Sequence, residues 1–187
     1  LPDIYLSADS FLVLTTPAAL ALFSAEINAV GIPAFPALSN TGQVLQLLND
    51  KGNIISAIAY TSEWYQDLNK KDGGYSLEQI DPDNPCGEMN NWRASVNKSG
   101  GSPGKKNSIN DSNPDIRSPE IYRVNVLSPD LLEIDFTEAL DSTTLRNNLS
   151  YEISTIGNPI KISLSRPGFK SVFLTLGTSL KESVVYT

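Results

Sequence analysis

The chain has 187 residues, 40% hydrophobic and 19% charged, with 21 acidic against 14 basic side chains and a net charge of -7. This is enough for one large or two small domains with apolar cores, and the negative balance argues against nonspecific attraction to nucleic acid or an anionic membrane. There is no histidine and one cysteine, Cys86, which excludes Ser-His and Cys-His catalysis, removes the commonest transition-metal ligand and forbids an internal disulfide.

No stretch approaches the roughly 20 apolar residues of a membrane-spanning helix. Leu1-Pro2-Asp3 lacks the basic segment and apolar run of a signal peptide, so a secretion signal is expected to be removed or to lie upstream. In chain order, a turn is expected at Ala8 to Ser10 and a strand, buried on both faces, at Phe11 to Leu14. Thr16 and Pro17 read as cap and first position of a short helix over Ala18 to Phe23. Gly31, Pro33 and Pro36 make an irregular segment that ends at Asn40-Thr41-Gly42. Gln43 to Leu48 and Asn53 to Tyr60, joined by Asn49-Asp50-Lys51-Gly52, form a β-hairpin signal.

Residues 73–108 read as one short strand, with Leu77 and Ile80 to bury, and then a long ordered loop. Asp81-Pro82 and Asn84-Pro85 block helix and favour turns, and Trp92 pins the loop. Linker composition follows Ser108 and sets a domain boundary: residues 1–112 form one domain, 113–117 the linker and 118–187 a second domain. In that second domain Tyr122, Val124 and Val126 alternate with Arg123 and Asn125, and Leu132, Ile134 and Phe136 with Glu133 and Asp135, giving an antiparallel hairpin with one wet face. Asp141-Ser142 is expected to cap a helical turn through Leu145. Strands are expected at Tyr151 to Ile156, Ile160 to Leu164, Ser171 to Leu176 and Val184 to Thr187, with Gly157-Asn158-Pro159 and Arg166-Pro167-Gly168 as separators. Short strands at this spacing indicate an all-β chain of sandwich type.

Each chemically suggestive group has a structural alternative. Gly101-Ser102-Pro103-Gly104-Lys105-Lys106 fails as a phosphate loop, because Ser99 stands at the first glycine position and Lys106 where Ser or Thr is required. Asp81, Asp83 and Glu88 are a calcium candidate, yet Pro85 and Cys86 fall on loop positions that need an oxygen ligand and a glycine, and Trp92 on that of the last acidic ligand. Trp64, Tyr65 and Tyr75 are the candidate sugar-stacking residues, to be weighed against core packing. Lys105 and Lys106, with Lys70, Lys71, Lys98 and Arg93, are the candidate phosphate contacts, to be weighed against solvated surface charge. Cys86 has no base nearby in sequence and reads as a buried structural thiol. No carboxylate pair has a reason to face another, so neither catalytic residues nor a cofactor is expected.

The hairpin from Leu45 to Tyr60, Trp64, Gly74-Tyr75-Ser76-Leu77-Glu78, Ile80-Asp81-Pro82, Asn91-Trp92, Gly100-Gly101-Ser102-Pro103-Gly104 and Asn107-Ser108 together resemble a bacterial lamin-tail domain over about the first 110 residues. Residues 118–187 resemble bacterial Ig-like modules through Pro119-Glu120-Ile121, Leu132 to Glu138 and Leu140-Asp141. The resemblance implies two immunoglobulin-like β-sandwich modules in tandem, in a secreted or cell-surface bacterial protein of the Bacteroides type. The implied role is noncatalytic spacing or adhesion, with other domains of the same polypeptide and a protein or glycan ligand as partners. A carbohydrate-binding module and a nucleic-acid-binding accessory domain are the alternatives. The opening Glu-Leu/Ile-Tyr-Asn signature and Gly-Trp strand of the lamin-tail family are missing, as is the closing strand of the Ig-like module, so both modules read as truncated. Open sheet edges would then be covered by a strand from a second chain, or the first domain would rearrange.

Overall fold

The computed structural model describes residues 4–52, 54–85, 87–140, 147–165 and 168–187. The expected helical turn at 141–145, Cys86 and the Arg166-Pro167 part of its turn lie outside them. The chain is all-β. Its strands are β1 (Val13–Thr15), β2 (Ala29–Gly31), β3 (Gly42–Leu48), β4 (Ile54–Thr61), β5 (Leu77–Gln79), β6 (Trp92–Ala94), β7 (Ile121–Ser128), β8 (Leu131–Phe136), β9 (Lys161–Leu164) and β10 (Ser171–Thr175), and its helical pieces are short 3-10 turns. Among the described residues no helix is long and apolar enough to cross a membrane.

Two compact units divide the chain. One comprises Leu1–Gln43, Tyr60–Pro85 and Met89–Pro114; the other comprises Val44–Ala59, Cys86–Glu88 and Asp115–Thr187. The body of the β3–β4 hairpin therefore falls in the second unit, although chain order places it in the first domain. Its turn forms as the sequence indicates, with the Asn49 carbonyl accepting from Gly52 N–H at 3.0 Å and Gly52 at φ +75°.

In the first unit the sheets are small. β1 pairs in parallel with β2, Val13 opposite Ala29 and Thr15 opposite Gly31. The strand expected at Phe11 to Leu14 is thus shifted, and with only a three-residue partner Phe11 stays exposed. Thr16 caps as expected, its hydroxyl accepting from Ala19 N–H, but Pro17–Leu22 is a 3-10 helix and Phe23 returns to extended backbone. β5 pairs antiparallel with β6, Leu77 opposite Ala94 and Gln79 opposite Trp92, so the expected long loop is a hairpin with an elaborate connection over residues 80–91.

In the second unit β7, β8, β10 and β9 form one antiparallel sheet in that order. Alternation aims Leu132 and Ile134 of β8 and Val172 and Leu174 of β10 at the core, where Leu140, Ile153 and Leu176 join them. Tyr151, Ile156, Leu180 and Tyr186 complete its cover. The inward face expected for β7 is not covered: Tyr122, Val124 and Val126 are exposed. Two expected strands do not form. Residues 153–157 close a tight turn, with Ile153 and Gly157 exchanging backbone bonds and Asn158 Nδ2 donating to the Tyr151 carbonyl at 2.6 Å. Thr187 meets Ser154, accepting from its N–H at 2.7 Å and donating to its Oγ at 2.9 Å, while Val184 and Val185 stay exposed.

Candidate functional site

The polar residues of segment 73–113 converge on each other. Glu78 leaves β5 with only 4% of its surface exposed. Its Oε1 accepts from the hydroxyls of Ser102 at 2.5 Å and Ser76 at 3.2 Å, and its Oε2 from Ser108 Oγ at 2.6 Å and Ser108 N–H at 2.8 Å. Burial pushes this carboxyl up, but the bonds from Ser102 and Ser108 together outweigh it and hold the group below its ordinary value. Ser95, fully buried, extends the network to Ser108 Oγ at 2.9 Å.

A second hub is Asn91, with no exposed surface. Nδ2 donates to the carbonyls of Asp81 and Asn84, both at 2.7 Å, and Oδ1 accepts from Asp81 N–H at 2.9 Å and Asn113 Nδ2 at 3.0 Å. An amide has two donor hydrogens and two acceptor lone pairs, and here all four are used. Residues 107–113 run along β5 and its continuation by the same means. Asn107 Nδ2 bonds the Gln79 carbonyl, Asn110 Nδ2 the Ile80 carbonyl, and Asn113 N–H the Asp81 carboxylate. Asn113 thus closes the first unit, and the division from the second falls after Pro114.

The Gly-Gly-Ser-Pro-Gly loop packs on Gly74-Tyr75-Ser76. Ser76 N–H donates to the Gly100 carbonyl at 2.7 Å, and a Cβ on Gly100, which sits at φ +86°, would fall on the Gly74 carbonyl oxygen. Gly100 and Gly101 thus serve close approach to Gly74 and Ser76.

The aromatic candidates are dispersed. Trp64 is buried, 9% exposed, and packs on Trp92 with ring centroids 6.2 Å apart at a 43° tilt. It cannot belong to an exposed stacking row, which corrects that expectation. Tyr65 donates its hydroxyl to the Tyr75 carbonyl at 3.2 Å; burial first, and then the neighbouring Tyr60, raise its pKa. Tyr75 is half-buried and carries the Lys70 ammonium 4.8 Å from its ring centroid. Lys70 also donates to the Ser95 carbonyl at 2.9 Å and lies 3.9 Å from Asp67, so it is engaged within the chain. Lys105 and Lys106 are exposed.

Lys106 lines an open cleft of about 460 Å³ with Asp81, Pro82, Asp83, Asn110, Asp111 and Ser112. The carboxylates there cap their own turns: Asp81 accepts from Asp83 N–H at 3.0 Å and Asn113 N–H at 2.8 Å, and Asp111 from Ser112 N–H at 2.8 Å. Glu88 is not part of this lining; it is ion-paired with Lys170 at 2.6 Å. Among the described residues no group of three acidic, histidine or cysteine side chains could hold a metal, so the calcium candidate of Asp81, Asp83 and Glu88 is not assembled. The chain matches no known family, no curated protein and no solved structure.

Sequence reading quoted Glu78, Asn91, Ser102, Asn107 and Ser108 as signature positions without a role. The available signal was the density of Asn and Ser in residues 73–113.

Proposed function

We propose that the chain is a noncatalytic structural or adhesion part of a larger secreted or cell-surface bacterial protein. On this reading a lamin-tail-like module and an Ig-like module, both immunoglobulin-like β-sandwich units, present neighbouring domains of the same polypeptide and make protein-protein or glycan contact. One observation carries the reading. The two polar hubs of segment 73–113, Glu78 and Asn91, have their bonding capacity filled by the chain itself. A catalytic carboxylate needs a lone pair or a proton within reach of substrate, and Glu78 presents neither to solvent.

The carbohydrate-binding alternative loses Trp64 to the interior, and the nucleic-acid alternative retains Arg93, Lys98, Lys105 and Lys106 as exposed candidates, with Lys106 beside Asp81, Asp83 and Asp111. Titrating the purified chain with a panel of oligosaccharides and with duplex DNA in low salt separates the readings. The expected result is no DNA binding, with any glycan affinity unaffected by Lys105→Ala and Lys106→Ala. DNA binding that falls steeply with salt and is lost in the two lysine variants would replace the proposal with a nucleic-acid module.

A further inference from the structure

We propose that β7 is an assembly edge through which two copies of this chain pair, antiparallel, about a two-fold axis at Val124. β7 is the outer strand of its sheet, bonded on one side to β8, and among the described residues no strand pairs with its other side. Five of its eight side chains are exposed apolar groups: Ile121, Tyr122, Val124, Val126 and Leu127. Val124 and Val126 stand opposite Ile134 and Leu132 on the same face, yet they are 51% and 63% exposed where those two are buried. The core face therefore continues onto β7 without a cover. Natural edges are normally blunted by lysine, proline, inward charge, brevity or β-bulges that twist the edge away. β7 has no lysine, proline or acidic residue, and its one charge, Arg123, lies on the opposite face, paired with Asp135 at 2.9 Å. The bulges at Ile121/Arg123 and Val126/Ser128 flank the regular stretch Arg123 to Val126 and leave it intact.

The strand's own sequence and charge identify the occupant as a second copy. A two-fold axis perpendicular to the sheet keeps each face on its own side. Centred on Val124, it sets that residue against its own copy and Arg123 against Asn125, all within the regular stretch. Apolar meets apolar on one face and polar meets polar on the other. The polar face holds Glu133 and Asp135 against the single cation Arg123, and Asn125 Nδ2 donates to Glu133 at 3.0 Å. The second copy's Arg123 arrives beside Asn125, next to that under-neutralised Glu133, so the charges complement across the seam. This inference uses the second unit alone and stands apart from the reading of the first.

Sedimentation equilibrium at roughly 1 to 100 µM, the range of weak edge-to-edge contacts, tests it. The chain is expected to reach the dimer mass. Val124→Lys, which opposes two ammonium groups at the axis, should return it to the monomer mass with unchanged circular dichroism. Arg123→Glu should weaken the dimer about tenfold, the effect of one cross-seam charge contact. If Val124→Lys fails to fold, Val124→Cys in a Cys86→Ser background decides, because opposed Cβ atoms about 5 Å apart should oxidise to a covalent dimer. A monomer throughout the range, a Val124→Lys dimer, or no cross-link would each overturn the proposal.

Discussion

Among the described residues, four polar side chains, Glu78, Asn84, Asn91 and Ser95, are buried in the first unit beside two buried hydrophobic ones, Trp64 and Ala94. Among the described residues the second unit buries no polar residue and eight apolar ones, Pro159 and seven aliphatic side chains from Leu132 to Leu176, its one buried unpartnered polar atom being the Tyr151 hydroxyl. The units are thus held by forces that fail differently. Apolar burial is non-directional, so one side chain lost from the second unit leaves a cavity while its neighbours keep most of their contacts. A hydrogen-bonded lattice is directional, and removing one member strands the partners of the others in a site without water.

Both tryptophans lie in the first unit, so tryptophan fluorescence reads that unit, while far-ultraviolet circular dichroism reads the four-stranded sheet with it. The largest effect is expected from Leu174→Ala, at a side chain 1% exposed. It should cost about 4 kcal/mol in urea denaturation followed by circular dichroism and leave the tryptophan transition in place. A coincident shift of both probes would merge the two units into one cooperative block. Asn91→Ala should do the reverse, moving the tryptophan transition by about 3 kcal/mol, because the Asp81 N–H and the Asp81 and Asn84 carbonyls lose their partner. Asn91→Asp should be about as damaging, since a carboxylate cannot donate to either carbonyl. The smallest effect belongs to Tyr151→Phe. The Tyr151 hydroxyl is buried in the second unit without a hydrogen-bond partner, so its removal should change stability by less than about 0.5 kcal/mol. A loss well beyond that would reveal a polar contact in the apolar unit and blur the contrast.

The same contrast decides what was legible in the sequence. Alternation located β7 and β8 and assigned Leu132 and Ile134 to the core, because period-two burial is a local pattern, while apolar runs between turn signals located β9, β10 and the β3–β4 hairpin. It also assigned Val124 and Val126 to the core face but could not tell that nothing covers them, which depends on the far side of the sheet. The strand expected at Tyr151 to Ile156 gave way to a turn closed by Gly157 and Asn158, so local turn chemistry outweighed an apolar run. In the first unit the motif positions were visible and their partners were not. Glu78 meets residues 24 and 30 positions away, and Asp81 one 32 positions away, beyond the reach of any periodicity. For Trp64 and Tyr65 the sequence left sugar stacking to be weighed against core packing, because composition carries no burial information; Trp64 is buried.

The most direct test of the polar lattice is the pH dependence of the tryptophan transition in the wild type and in Glu78→Gln. The folded pKa of Glu78 lies below its unfolded value, so the carboxylate contributes stability that is fully present above the unfolded value and is lost as pH falls through the folded one. At neutral pH Glu78→Gln should lower the urea midpoint by the equivalent of about 2 kcal/mol, because the amide keeps one oxygen for Ser108 and turns its NH2 toward the Ser76 and Ser102 hydroxyls, which lose their charged acceptor. It should also flatten the acid limb that the wild type shows below the ordinary carboxylate range. An unmoved transition with an unchanged acid limb would contradict the structural role of this carboxylate and return Glu78 to the list of functional groups.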